Sequence, residues 1–254
     1  MTEQATTAAA STPAIADAPN TIKVIISGGF AAVYRDVLPE FERRTGIKVK
    51  TGSGASEGTG PKTIRHQLAN GTKADVVILS REGLRTLIED GRIRAGSDAG
   101  LATAPLAAAV RSGAPKPDIS TDAALKKALI DAGQVVVPSS TSGQYVRDKI
   151  FPKLTLPDTV KLTLEARGTE AVEALRAGKA NLSIGPTSEL VQETGIEMVG
   201  LLPPNLQLVQ TFTAAIVSDS KAPEAARRLI DFLSLDSDHL LAAIKRAGME
   251  RPRR

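Results

Sequence analysis

The stretch that most restricts what this chain can become is residues 22–45. Ile22-Lys23-Val24-Ile25-Ile26 is an apolar, β-branched run that reads as a buried strand, and it ends in Ser27-Gly28-Gly29. A helical pattern follows from Ala31 to Arg44, closed by Thr45-Gly46. A strand that passes into a helix through Ser-Gly-Gly leaves free backbone N–H groups converging on one spot. The positive end of the helix dipole lies behind them, so the turn is suited to an anion. A second turn of this kind, Ser139-Ser140-Thr141-Ser142-Gly143, follows the apolar Val135-Val136-Val137. Two such turns predict a small, negatively charged ligand held between two parts of the chain.

The same alternation continues along the sequence. Strands are predicted at Ile47 to Lys50 and Ala74 to Leu79, with helices at Lys62 to Ala69 and Arg81 to Asp90. After a connecting strand at Pro105 to Arg111 and the turn-rich Ser112 to Pro117, a second series begins. It has helices at Thr121 to Ala132, with Ser120 as cap, at Gln144 to Phe151 and at Thr169 to Ala177, and a short strand at Asn181 to Ile184. Gln207 to Val217 is extended, and helices at Pro223 to Leu235 and Asp238 to Ala247 complete the chain. The β-α-β order predicts an α/β protein of two parallel-dominated sheets flanked by helices, with the ligand at the C-terminal strand ends between the lobes.

Composition removes several classes of function. With 3% aromatic residues and no Trp, a pocket has few rings on which to stack a base or a sugar. The formal net charge of +4 is spread along the chain rather than gathered in a stripe, so it draws small anions and gives no footprint for nucleic acid. No cysteine and only two histidines argue against a metal site and exclude a thiol nucleophile. No apolar run is long enough for membrane insertion. The loop Gly52 to Gly60 lacks the Gly-Lys-Ser/Thr ending of a P-loop, and no Gly-x-Ser-x-Gly elbow is present. Residues 1–20, rich in Ala, Thr, Ser and Pro, read as a disordered tail without an export signal, which predicts a cytoplasmic protein. The alternative is a chain from which a signal has been removed, and that chain would be periplasmic.

Several stretches, in this order, carry a resemblance: Ile25 to Gly29, Pro39 to Val49, Lys73 to Ile78, Ala109 to Ser120, Ser142-Gly143-Gln144-Tyr145, and Ser188-Glu189-Leu190 followed by Gly195 to Gly200. Together they resemble the substrate-binding proteins of the molybdate-binding type, within the type II periplasmic-binding-protein fold. That resemblance implies two lobes with a two-segment hinge. A discontinuous lobe one would take residues 21–104 and 212–254, and lobe two residues 105–211. The Ser27-Gly28-Gly29 turn, Ser142 to Tyr145 and Ile150-Phe151-Pro152 are similar to the branch that includes aconitate isomerase. This branch implies a cofactor-independent allylic proton shift on a small unsaturated polycarboxylate. The alternative is a non-catalytic binding protein for molybdate or an organic anion, which would serve an ABC permease.

The candidate ligand-binding residues are Ser27, Gly28, Gly29, Ser53, Ser56, Ser142, Gly143 and Tyr145. A proton shift needs a base, drawn from Glu57, His66, Tyr145 or Glu189; Glu57 and Tyr145 are the candidate catalytic pair. Each has a plainer reading beside it. Ser27-Gly28-Gly29 can be a tight turn alone, Ser53 and Ser56 ordinary loop residues, and Glu57 a solvated carboxylate. His66 and His239 read as surface residues. Ser188-Glu189 reads as a helix start, with Thr187 or Ser188 as cap and Glu189 near the favourable end of the dipole. Thr211 and Thr213 are predicted to face the cleft.

Overall fold

Strand β1 (Thr21–Ile26) alternates exposed and buried residues until Val24, and from there every side chain is inside. The computed structural model describes residues 21–253, so the expected tail over 1–20 lies outside the described residues. Helix α1 (Gly28–Thr45) leaves β1 at once and ends on Gly46 at φ 72°, a left-handed position that glycine adopts without strain. Parallel strands β2 (Lys48–Ser53) and β3 (Val76–Ser80) flank β1 on either side, with α2 (Ile64–Ala69) between them in sequence and α3 (Arg81–Glu89) after β3.

The chain then runs through the 13-residue β4 (Ala99–Arg111). Most of its buried residues are small; Ala102, Ala104, Ala107, Ala108 and Ala109 are all fully buried, which lets neighbouring layers approach closely. Beyond it lie α4 (Asp122–Ala132), β5 (Gln134–Pro138), α5 (Thr141–Tyr145), a π-helical turn at Val146–Ile150 and α6 (Phe151–Leu154). Next come β6 (Lys161–Glu165), α7 (Gly168–Arg176), β7 (Leu182–Pro186), α8 (Thr187–Leu190) and β8 (Ile196–Leu201). Strand β9 (Val209–Ile216) returns, followed by α9 (Pro223–Ser234) and α10 (Asp238–Arg246).

The sheet order is β2-β1-β3-β9-β4-β7-β5-β6, with β8 also on β4. Pairing is parallel within β1–β3 and within β5–β7, and antiparallel wherever β4 or β9 takes part. The apolar core changes hands along these two strands. Ala104 and Phe212 belong to the cluster around Phe30, Tyr34 and Phe41, whereas Leu106 and Leu208 belong to one around Leu125, Val137 and Ile184. Two lobes thus share two continuous strands. Several elements differ from expectation. Strand β4 begins six residues before Pro105, and Thr121, not Ser120, caps α4 by accepting from the Ala124 N–H. The polar edge strand Lys161-Leu162-Thr163-Leu164-Glu165 carries no apolar run that would announce it.

Candidate functional site

The C-terminal ends of β1 and β7 and the start of α7 meet at the seam between the lobes. Ser27 occupies the N-cap position of α1, with extended backbone, yet its side chain makes no capping hydrogen bond. Its hydroxyl is buried without a partner and lines the seam. Gly28 lines it too. Gly29 does not; a methyl group there would stand 1.9 Å from the ring of Phe212, so this glycine makes room for an aromatic ring.

The second helix N-terminus at the seam is that of α7, not the turn at Ser139 to Gly143. Helix α5 has only five residues, and a methyl group on Gly143 would fall 1.7 Å from the Pro138 carbonyl oxygen. Ser142 is fully buried inside lobe two, its hydroxyl without a partner. Of that turn, Ser140 reaches the seam. Arg167 and Gly168, at the start of the nine-residue α7, lie across from Ser27 and Gly28.

Between the two helix ends is the Glu189 carboxylate. A methyl group on Gly28 would stand 2.5 Å from Glu189 Oε1, and one on Gly168 1.9 Å from Oε2. The carboxyl makes no hydrogen bond among the described residues. Burial, and secondarily the charge of Glu193, push it up to about 7. Glu189 stands in the first turn of α8, as expected, but the expected cap is corrected: Pro186, not Thr187 or Ser188, holds that position, and Thr187 Oγ1 donates to the Gly248 carbonyl.

Strand β9 presents Gln210 and Phe212 to the same seam. Thr211 and Thr213 have the opposite parity, and the buried Thr213 Oγ1 donates to the Leu79 carbonyl. Gln210 is 2% exposed and its amide oxygen has no partner; a half-turn of the amide would present N–H there instead. Ser188 Oγ is likewise buried and unpaired. Three unsatisfied polar groups around one seam are unusual for a folded protein and point to a ligand that satisfies them.

The inner cavity, about 20 Å³, holds roughly one water. It adjoins an outer one of about 360 Å³, bordered also by Arg35, Ser53, Ser188 and Glu193 and of a size usual for small-molecule sites. Ser53 is at this mouth, where its hydroxyl accepts from Arg167 Nη1 at 3.3 Å. Ser56 is buried, and its hydroxyl accepts from the Ser80 N–H at 2.9 Å.

Both candidate catalytic residues stand elsewhere. Glu57 Oε2 accepts from Thr141 Oγ1 at 2.7 Å, and Thr141 Oγ1 is 2.8 Å from Ser80 Oγ. That chain ties lobe one to lobe two and borders a separate surface cavity. Tyr145 packs on the lobe-two core, and its hydroxyl donates to the Gln207 carbonyl at 3.4 Å. His66 is exposed on α2, while the half-exposed His239 pairs with Glu40 and Asp36. A larger cavity of about 610 Å³ lies at the opposite end of β1 and β3. There Asp75 already accepts from Lys23 N, Ser220 Oγ and Lys221 N, so its carboxylate is satisfied within the fold. Among the described residues no helix is long and apolar enough to cross a membrane, and no three His, Cys, Asp or Glu side chains gather to hold a metal ion.

A family profile described as bacterial extracellular solute-binding protein matches residues 22–250. The chain belongs to the bacterial extracellular solute-binding protein family. It is also 37% identical over 243 residues to an aconitate isomerase from a Pseudomonas species, covering 95% of this chain and 92% of that one. The sulfate-binding protein SubI from Mycobacterium tuberculosis superposes with a TM-score of 0.71 at 20% identity, covering 91% of this chain and 86% of that one. The periplasmic molybdate-binding protein of Azotobacter vinelandii gives 0.70 at 19% identity, with 91% and 100% covered. These structural likenesses establish the type II periplasmic-binding-protein fold. The family's description is of extracellular proteins and lends no support to the cytoplasmic expectation.

Proposed function

We propose that this protein is an isomerase that shifts the double bond of a small unsaturated polycarboxylate, with the acid bound between the lobes. The observation that carries the reading is the set of unsatisfied polar groups, Ser27 Oγ, Ser188 Oγ and the Gln210 amide, bordering cavities that also meet the N-termini of α1 and α7. Main-chain amides and the dipoles of two helices suit carboxylates at two ends of one compact molecule. Arg35 and Arg167 at the mouth add positive charge for a polyanion. The same groups serve the reaction, because charge that develops on the acid as a C–H proton leaves is held by donors already in place. The identity to an aconitate isomerase makes a tricarboxylate of that kind the first substrate to try.

A second reading is a binding protein for an inorganic or organic anion that hands its cargo to an ABC permease. It is favoured by the family description and by the molybdate- and sulfate-binding neighbours. One experiment separates the two. Purified protein is mixed with cis-aconitate and followed by proton NMR, while molybdate and sulfate are titrated by calorimetry. Appearance of the trans isomer supports the isomerase; no conversion together with tight oxyanion binding overturns it in favour of the receptor.

A further inference from the structure

The cleft contains a carboxyl group that the grip on an anion does not need. Glu189 comes from α8, between a helix end on lobe one and another on lobe two, and borders both the inner and the outer cavity. An acidic side chain is a poor lining for an anion site, since its charge repels the ligand and competes for the same donors. The sequence nevertheless clears space for it, because glycine is the one residue that fits at both 28 and 168 without striking its oxygens. Such an arrangement has a physical reason if the carboxyl reacts with the ligand.

We propose that Glu189 is the proton-transfer residue, taking an allylic proton from the bound acid and returning it at the other end of the allyl system. The proposal rests on the isomerase reading above. In the first step a C–H bond alpha to a carboxylate breaks and an O–H bond forms on Glu189. The electron pair left behind spreads over the adjacent double bond and carboxylate, close to the donors of Ser27, Ser188 and the two helix ends. In the second step the O–H bond breaks and a C–H bond forms on the other allylic carbon, which moves the double bond and regenerates the carboxylate. Nothing is oxidised or reduced, and no co-reactant enters.

The neighbours of Glu189 suit this task. The charged groups facing it are Arg35 from α1, Arg167 ahead of α7, and Glu193 after α8; β9 and β7 contribute the uncharged Gln210, Phe212 and Pro186. A carboxyl without hydrogen-bond donors, beside another carboxylate, ionises near neutral pH, which is where a general base works best. Glu57 lacks this freedom because Thr141 holds it, and the Tyr145 hydroxyl is engaged by the Gln207 carbonyl.

The test compares wild type, Glu189→Gln and Glu189→Asp, with cis-aconitate as the probe. Circular dichroism first checks that each variant is folded. A general base contributes roughly 10²–10⁴-fold, so Glu189→Gln should lose about 10³-fold in kcat while KM moves only a few-fold. Glu189→Asp should recover part of the loss. With substrate deuterated at the methylene, the wild type should carry part of the label to the other allylic carbon, and Glu189→Gln should carry none. The wild-type kcat/KM should rise with pH through an apparent pKa near 7, and this limb should vanish from the residual activity of Glu189→Gln. Conversion by a folded Glu189→Gln at more than a tenth of the wild-type kcat overturns the assignment and leaves the isomerase reading intact. A wild type that binds the acid and converts none of it overturns both. If Glu189→Gln does not fold, the wild-type pH profile decides, and a flat profile from pH 5 to 9 refutes the role of Glu189.

Discussion

Replacing Glu189 by glutamine should make the unliganded protein lose less stability between pH 5 and pH 8 than the wild type does, an effect that can be read without any substrate. The carboxyl has an ordinary value of 4.5 and is pushed up to about 7 in the fold by burial. Below about pH 4.5 it is protonated in both the folded and the unfolded chain and contributes nothing. Between 4.5 and 7 the unfolded chain releases the proton while the folded one keeps it, so stability falls by about 1.4 kcal/mol per pH unit. Above 7 the folded form ionises too, and the full loss, roughly 3 kcal/mol as an upper bound, remains. Glutamine has the same shape and does not titrate. Burying its amide carries a cost of its own, but that cost is independent of pH and cancels in a double difference. The change in stability between pH 5 and pH 8 should therefore favour Glu189→Gln over wild type by about 2–3 kcal/mol. For a chain of this length that is about 4–12 °C in melting temperature. Calorimetric melts of both proteins at the two pH values supply the four numbers needed. An equal offset at pH 5 and pH 8, or a wild type that gains on the variant at pH 8, refutes the claim that this carboxyl is held without compensation.

Three further outcomes test the site around it. Ser27→Ala removes a hydroxyl that has no partner in the fold, so it should leave the melting temperature within about 2 °C and weaken polycarboxylate binding roughly 5–10-fold by calorimetry. Ser142→Ala, within lobe two, should leave affinity unchanged, and a loss there would restore the turn at Ser139 to Gly143 as a ligand site. Gly168→Ala places a methyl 1.9 Å from Glu189 Oε2 and must push the carboxylate aside. Because the carboxylate is the end of a flexible side chain, stability should change by less than about 1 kcal/mol while conversion falls at least tenfold; near-normal conversion would show that the narrow slot is unnecessary.

The first half of the candidate site was legible because strand, Ser-Gly-Gly and helix follow without a gap, so that the position of Ser27 and Gly28 at the strand end follows from local structure alone. The second half was not. Ser142-Gly143 has the composition of an anion turn, but its glycine is there for the Pro138 carbonyl, a contact that only the packed lobe reveals. Gly168 was visible as a glycine ahead of a helix, and nothing local distinguishes it from an ordinary cap. The parity of β9 was misread by one residue, since a strand buried on both faces gives no alternation to say which side is the cleft. Glu189 is a first-turn acid, where acids favour a helix, and that reading by itself says nothing of the cleft. Its meaning depends on a second helix end more than 150 residues away in sequence, at Gly28.

In the site proposed above, Gly28 and Gly168 would offer main chain to the ligand, whereas the carboxyl at 189 is a single replaceable side chain. Capture and turnover would then be stored in different kinds of atom. One base change in the codon for residue 189 could retire the catalyst and leave a carrier, and a carrier that already possessed the two bare glycines would lie the same small distance from becoming a catalyst.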